Sequence, residues 1–299
     1  MNPRTVVELD GPPDLRRLSA RAVAAAAGSF GRTITVAPDD VPDTETLLRR
    51  LRPDADRLTT YQQLLGEPVS DDLPAGYVHL LAFPVAMAHL LHHVPLPILG
   101  MVHLANRVIQ HRPVRLGEEL DVRVRATGLR AHRRGVALDV VAEALTDDDV
   151  VWQGVSTYLA KGARLAGDDG APDADRGFTA PVPTGSWRLT PEVGRRYAAV
   201  SGDRNPIHTS RVAARAFGFP RRIAHGMYTA ARALAEVGPS ARGEAFDWEV
   251  AFARPVLLPS TVAVRISPDE GSEPGGMAFA VWNQSSGKPH LTGSVRRRT

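Results

Sequence analysis

The sequence contains no cysteine and only two lysines, Lys161 and Lys288, among 36 basic residues. Without cysteine there is no disulfide, no thiolate zinc site, no iron–sulfur cluster and no cysteine nucleophile. Nothing asks for an oxidising compartment, so the cytoplasm is the expected location. Net charge is also scarce: 36 Lys+Arg against 33 Asp+Glu leave +3, spread along the chain, which gives no basis for nucleic-acid binding. No apolar run approaches the roughly 20 residues that span a bilayer; Leu80 to Leu91 is interrupted by Pro84 and His89. Arg16-Arg17-Leu18-Ser19 followed by an alanine-rich stretch superficially suggests a twin-arginine leader. The acidic lead-in (Glu8, Asp10, Asp14) and the internal Arg21 favour a short helix instead.

At 299 residues with 43% hydrophobic content, the chain has room for two domains. A Gly/Pro/Asp/Ala-rich break, residues 162–185, reads as a linker. At an offset of 142, Arg112-Pro113-Val114-Arg115-Leu116 matches Arg254-Pro255-Val256-Leu257-Leu258, and Val122-Arg123-Val124 matches Val264-Arg265-Ile266. Apolar stretches at helical spacing, Leu80 to Val94 and Gly226 to Val237, fall in the same order in each half, which points to duplication.

Strand alternation follows in both halves. Leu120, Val122, Val124 and Ala126 alternate with charged residues, as do the residues around Val262, Val264 and Ile266. Further strands are expected at 100–112, 135–145, 150–160, 246–254, 277–283 and 290–296, with a hairpin turn in GSEPGG from Gly271. One apolar helix followed by a run of strands is an α+β pattern in which a sheet wraps a helix. The expected division is an N-terminal helical extension (1–31), a first unit (32–161), the linker (162–185) and a second unit (186–299).

Polar chemistry concentrates in Tyr197 to His208, YAAVSGDRNPIH. On one continuous helix Asp203 and His208 would point well apart, so a shared task needs a turn between them. Gly202 and Pro206 supply one. A carboxylate beside an imidazole can hold a water and move its proton. Equally, Asp203 could cap the following helix and Asn205 make an Asx-turn. Further on, Ile223-Ala224-His225-Gly226-Met227 opens the second apolar helix. There the Gly226 N–H and the helix N-terminus suit an oxyanion, unless Gly226 serves only close packing.

SGDRNPIH followed by IAHGM resembles the signature of the MaoC-like dehydratases, or (R)-specific enoyl-thioester hydratases, whose motif is Gly-Asp-x-Asn-Pro-x-His. The resemblance extends over the chain, because some members fuse two hotdog units, and it implies a double hotdog with a degenerate first half. It places the catalytic pair on Asp203 and His208 and the thioester oxygen at the Gly226 N–H. Asn205 supports the loop or contacts substrate, and Ser201, Gly202 and His225 are counted with it. The implied reaction is hydration of trans-2-enoyl thioesters, or dehydration of (R)-3-hydroxyacyl thioesters, carried on CoA or acyl carrier protein. Neither a metal nor an organic cofactor is called for, and a homodimer of fused chains is compatible with it. A hotdog thioesterase and a noncatalytic acyl-thioester binder are the alternatives.

Aligning Tyr61 to Gly66 with Tyr197 to Gly202 sets Glu67 opposite Asp203 and Asp72 opposite His208; keeping the 142 offset instead sets Tyr61 and Gly66 opposite them, and in neither register does the first half supply the histidine. His89, His92 and His93 share helical spacing but no acidic ligand, and read as a polar helix end rather than a metal face. Arg221 and Arg222, between the motif and Gly226, could meet the phosphates of CoA or of a carrier. Phe217, Phe219 and Tyr228 either line the acyl channel or belong to the core.

Overall fold

The computed structural model describes residues 4–29, 33–168, 177–269 and 275–298. In chain order the elements are β1 (Thr5–Leu9), α1 (Leu15–Ser29), β2 (Ile34–Val36), β3 (Thr44–Leu51), α2 (Ala55–Leu65), α3 (Ala75–His93), β4 (Val102–Gln110), β5 (Leu120–His132), β6 (Gly135–Thr146), β7 (Asp149–Ala160) and β8 (Ala163–Leu165). They continue with β9 (Gly185–Leu189), α4 (Val193–Ser201), α5 (Pro206–Thr209), α6 (Arg211–Ala216), α7 (Gly226–Val237), α8 (Pro239–Arg242), β10 (Phe246–Phe252), β11 (Ser260–Pro268), β12 (Met277–Asn283) and β13 (Pro289–Arg297).

Two compact units result. The first comprises residues 1–53, 78–106 and 117–175; the second comprises 54–77, 107–116 and 176–299. The chain therefore does not divide only at residue 162: α2, which lies between β3 and β4 in sequence, belongs to the unit that holds the Asp203 motif.

In the first unit β3, β5, β6 and β7 are antiparallel neighbours. The alternation expected of β5 holds: Leu120, Val122, Val124 and Ala126 are buried. Residues 5–9 are not part of a helical extension. Their β-branched run forms β1, parallel to β3 from Thr5↔Thr44 to Leu9↔Leu48, and α1 follows. Likewise residues 163–165, inside the expected linker, form β8, which pairs in parallel with β2; residues 169–176 lie outside the described residues.

The helix of this unit, α3, begins at Ala75, before the expected Leu80, and continues through Pro84. By length and composition it alone among the described residues could cross a membrane, and it is mostly buried. The reason is visible at its C-terminal end. The buried His89 accepts the Ala126 N–H at Nε2 (3.1 Å) and donates from Nδ1 to Thr46 Oγ1 (2.9 Å), which pins the helix to β5 and β3. His92 is also occupied at both nitrogens, donating to the Ala88 carbonyl and accepting from Arg21. With no ring lone pair left on either residue, the trio offers no metal face.

The second unit orders its strands β10-β13-β12-β11-β9, all antiparallel. Its helix α7 spans the expected Gly226–Val237, with Ala230, Ala233 and Leu234 fully buried. β11 and β12 pair as far as Pro268↔Met277; the expected GSEPGG turn falls between them in sequence, and its residues 271–274 lie outside the described residues.

The duplication persists in three dimensions, but not in one register. β6 and β12 begin 142 residues apart, whereas α3 and α7 begin 151 apart, because the first-half helix is longer. α2 and α4 follow the tyrosine alignment: Gly66 and Gly202 each end their helix in the left-handed conformation, at φ 76° and 79°. Each helix also sets a tyrosine edge-on against another, Tyr61 on Tyr77 (5.3 Å) and Tyr197 on Tyr228 (5.7 Å).

Candidate active site

The turn between Asp203 and His208 is built from short-range hydrogen bonds. After Gly202 ends α4, Ser201 Oγ accepts the Asp203 N–H (3.1 Å). Asp203 Oδ1 then accepts the Asn205 N–H (3.1 Å), an Asx-turn. Asn205 in turn caps α5 by accepting the Ile207 N–H (3.4 Å), with Pro206 in the first helical turn. The two local roles are thus exchanged from expectation: Asp203 makes the Asx-turn and Asn205 caps the helix. Ser201 and Asn205 commit their side-chain oxygens to the loop, as does Asp203 its Oδ1, which leaves Asp203 Oδ2 outside it.

His208 is buried. Its Nδ1 lies 2.9 Å from the Ile223 carbonyl, which only accepts, so Nδ1 carries the proton and Nε2 the lone pair. Burial holds its pKa below the ordinary 6.5, against the opposing pull of Asp203 and of the Ile223 hydrogen bond. His208 is therefore a neutral imidazole at neutral pH, with a basic Nε2.

His225 completes the cluster. Its ring stacks on that of His208, 3.7 Å between centroids and 25° between planes. Its Nε2 donates to the Asp203 carbonyl (3.0 Å) and stands 3.7 Å from Asp203 Oδ2. Burial lowers its pKa to about 3, so this second imidazole is also neutral. Asp203, His208 and His225 each contribute a potential donor atom within 4.8 Å of the others. The set does not suit a metal ion: imidazole lone pairs lie in the ring plane, and those of two stacked rings do not converge on one ion.

His225 is also the N-cap residue of α7, so Gly226 is its first helical residue, with an N–H that has no intrahelical acceptor. A Cβ on Gly226 would come within 3.1 Å of the Phe252 ring. Close packing is thus one reason for the glycine, while the helix N-terminus retains its anion-favouring polarity. Of the three aromatics in question, Tyr228 is core and Phe217 is 41% exposed.

Three supporting residues carry no motif signal. Arg57, from α2, donates to the Val200 and Ser201 carbonyls (2.8 and 3.3 Å) at the end of α4, next to Asp203. Gly194 packs its Cα against the His208 carbonyl oxygen, leaving no room for a Cβ. Tyr197 sets its ring 4.9 Å from that of His225. Only the helical spacing from Gly194 to Tyr197 and Ser201 hinted that this face of α4 turns inward.

The first half differs at the matching place. Glu67, opposite Asp203, is buried in an ion pair with Arg242 (3.2 Å). Burial raises its pKa against the pull of that arginine. Asp72, opposite His208, is exposed near Arg115.

Comparison with known proteins agrees with this geometry. Residues 171–276, which include the Asp203 loop and Gly226, match the MaoC-like domain family. The chain is 36% identical over 287 residues to 3-hydroxyacyl-thioester dehydratase X of Mycobacterium tuberculosis, covering 95% of this chain and 98% of that protein. It is similar to the crystal structure of M. tuberculosis HtdX, with a TM-score of 0.73 and 36% identity over 84% of this chain and 99% of the other. At 16% identity it shares its fold with an M. tuberculosis protein described as a double hotdog, with a TM-score of 0.52 over 82% of this chain and 92% of the other. With an α+β double-hotdog architecture and identity of this extent along almost its whole length, the chain belongs to the MaoC-like dehydratase family.

Proposed function

We propose that this protein is a hydro-lyase that interconverts trans-2-enoyl and (R)-3-hydroxyacyl thioesters, with Asp203 and His208 as its acid–base pair. The observation that carries the assignment is the neutral His208, its Nε2 without a hydrogen-bond partner among the described residues, clustered with Asp203 at the N-terminus of α7.

Two acceptors facing one water hold both of its protons and leave an oxygen lone pair for C3 of the substrate. As the O–C3 bond forms, one O–H bond breaks and its proton passes to the pair. The other proton remains on the new hydroxyl. The pair returns the captured proton to C2, which closes the cycle with Asp203 ionised and His208 neutral. Charge that builds on the thioester oxygen meets the Gly226 N–H and the positive end of α7; a donor in such a place typically contributes about 3 to 4 kcal/mol. Dehydration runs the same steps backwards. His225, buried and hydrogen-bonded to the Asp203 main chain, acts on the substrate only through the pair.

The first half is proposed to be noncatalytic, since Glu67 and Asp72 supply neither the free carboxylate nor the imidazole. The substrate thioester is carried on CoA or on a carrier protein. The test is the loss of enoyl absorbance when crotonyl-CoA is added, with free thiol measured in parallel. Loss without thiol release supports the proposal; thiol release with the enoyl band intact would make the chain a hotdog thioesterase.

A further inference from the structure

The segment between His208 and Ile223 leaves the catalytic site and returns to it. The Ile223 N–H donates to the Ile207 carbonyl (3.2 Å), and the Ile223 carbonyl accepts from His208 Nδ1 (2.9 Å). Both ends of the excursion, residues 209–222, are thus fastened at the catalytic histidine, and whatever it carries stands beside the site. It carries Arg211, Arg215, Arg221 and Arg222 and no acidic residue. Several arginines elsewhere pair with carboxylates, as in Arg4 with Asp43, Arg49 with Asp121, Arg52 with Glu119 and Arg130 with Asp139, while others, such as Arg57 and Arg265, donate to carbonyls. Among the described residues no carboxylate forms an ion pair with any of the four in the excursion; Arg221 donates to the Pro259 carbonyl.

The same segment exposes apolar surface. Val212 is 80% exposed and Phe217 41%, while Ala214 behind them is fully buried. Arg211 and Arg215 lie one turn apart on α6, on either side of Val212. Arg222 interacts electrostatically with Glu192; the positive charge of Arg211 and Arg215, interleaved with exposed apolar side chains, fits an acidic protein helix. Charge steers such a partner, and apolar contact fixes it. A free nucleotide would instead need phosphate ligands converging on one point.

We infer that the 209–222 excursion, through Arg211, Val212, Arg215 and Phe217, is the docking surface for an acidic carrier protein that delivers the acyl thioester on its phosphopantetheine arm. The inference rests on the thioester reading above and selects the carrier among its possible bearers.

The test compares three crotonyl thioesters with the full chain: N-acetylcysteamine, which is uncharged, CoA, and an acidic acyl carrier protein. The double variant R211E/R215E is expected to raise KM for the carrier-bound substrate about tenfold and leave its kcat unchanged. KM for the N-acetylcysteamine thioester stays as in the wild type, and that for CoA changes less than for the carrier. For the wild type, salt near 0.5 M raises KM for the carrier substrate selectively, since it shortens the screening length below about 5 Å. An unchanged carrier KM would overturn the inference. So would an equal rise for CoA, which would assign the arginines to CoA phosphates. If the double variant loses turnover on N-acetylcysteamine as well, R211Q/R215Q and the wild-type salt dependence decide by the same criteria. Wild-type turnover of the uncharged thioester tests the catalytic reading separately, so the two ideas fail independently.

Discussion

His89 should make this fold acid-labile, by an amount that follows from its contacts. Its Nε2 accepts the Ala126 N–H where the β3–β5 ladder has ended, since that pairing begins at Thr46↔Val124. Protonation would set an N–H against an N–H, and burial with the neighbouring His93 and His92 takes the pKa down from 6.5 to about 4. A group whose pKa is lowered by folding favours the unfolded state as the pH falls, because there it binds the proton first. The loss begins near pH 6.5 and is complete below about 4. For this shift it amounts to about 2 kcal/mol by pH 5. Other histidines whose pKa burial lowers, His79, His103, His208, His225 and His290, act in the same direction, so the wild-type total does not isolate His89. The substitution His89→Gln does, since Gln can donate to Thr46 and accept from Ala126 without titrating. Urea unfolding at pH 7 and pH 5, followed by circular dichroism, should show the stability difference between the two pH values shrink by about 2 kcal/mol in the variant. At pH 7 the variant should lie within about 1 kcal/mol of wild type. An undiminished difference between the two pH values would refute the assignment of His89 as a buried proton-sensitive pin.

Other outcomes follow from the site. Because His208 must be neutral and its pKa is lowered by burial, the acid limb of kcat/KM should lie below pH 6.5; a limb above that value would contradict the Nε2 assignment. Gly194→Ala forces a methyl group onto the His208 carbonyl. It should reduce kcat by about a hundredfold, as displacement of a catalytic group by an ångström does; wild-type kcat in a folded variant would count against the packing. His225→Gln keeps a donor toward the Asp203 carbonyl, whereas His225→Phe keeps only the stacked ring. Steady-state kinetics should find kcat better preserved in the Gln variant and KM similar in both. The reverse order would mean that stacking, not the hydrogen bond, holds the pair.

What could be read in the sequence was what local physics determines. The alternation of Leu120, Val122, Val124 and Ala126 marks β5 because each turns inward, and the small-residue run of α7 ends at Gly226 and Val237 as its composition suggests. The 203–208 turn was legible because Gly202 and Pro206 restrict the backbone over a few residues. Pro74-Ala75-Gly76 looks like a turn, yet proline just before a first helical turn costs nothing, so α3 starts five residues earlier than its apolar pattern. Long-range partners left no trace. Arg57 reaches carbonyls 143 and 144 residues away. Glu67 finds its counter-ion in Arg242, and β1 pairs in parallel with β3; no spacing in the chain encodes these contacts.

The central claim is that Asp203 and His208 act as one acid–base pair on an enoyl thioester. The most direct measurement is the rate of crotonyl-CoA hydration by wild type, Asp203→Asn and His208→Ala, each shown to be folded by circular dichroism. Both substitutions should lower kcat by about 10² to 10⁴, the range expected for loss of a positioned proton-transfer group. Near wild-type turnover in either variant would contradict the account.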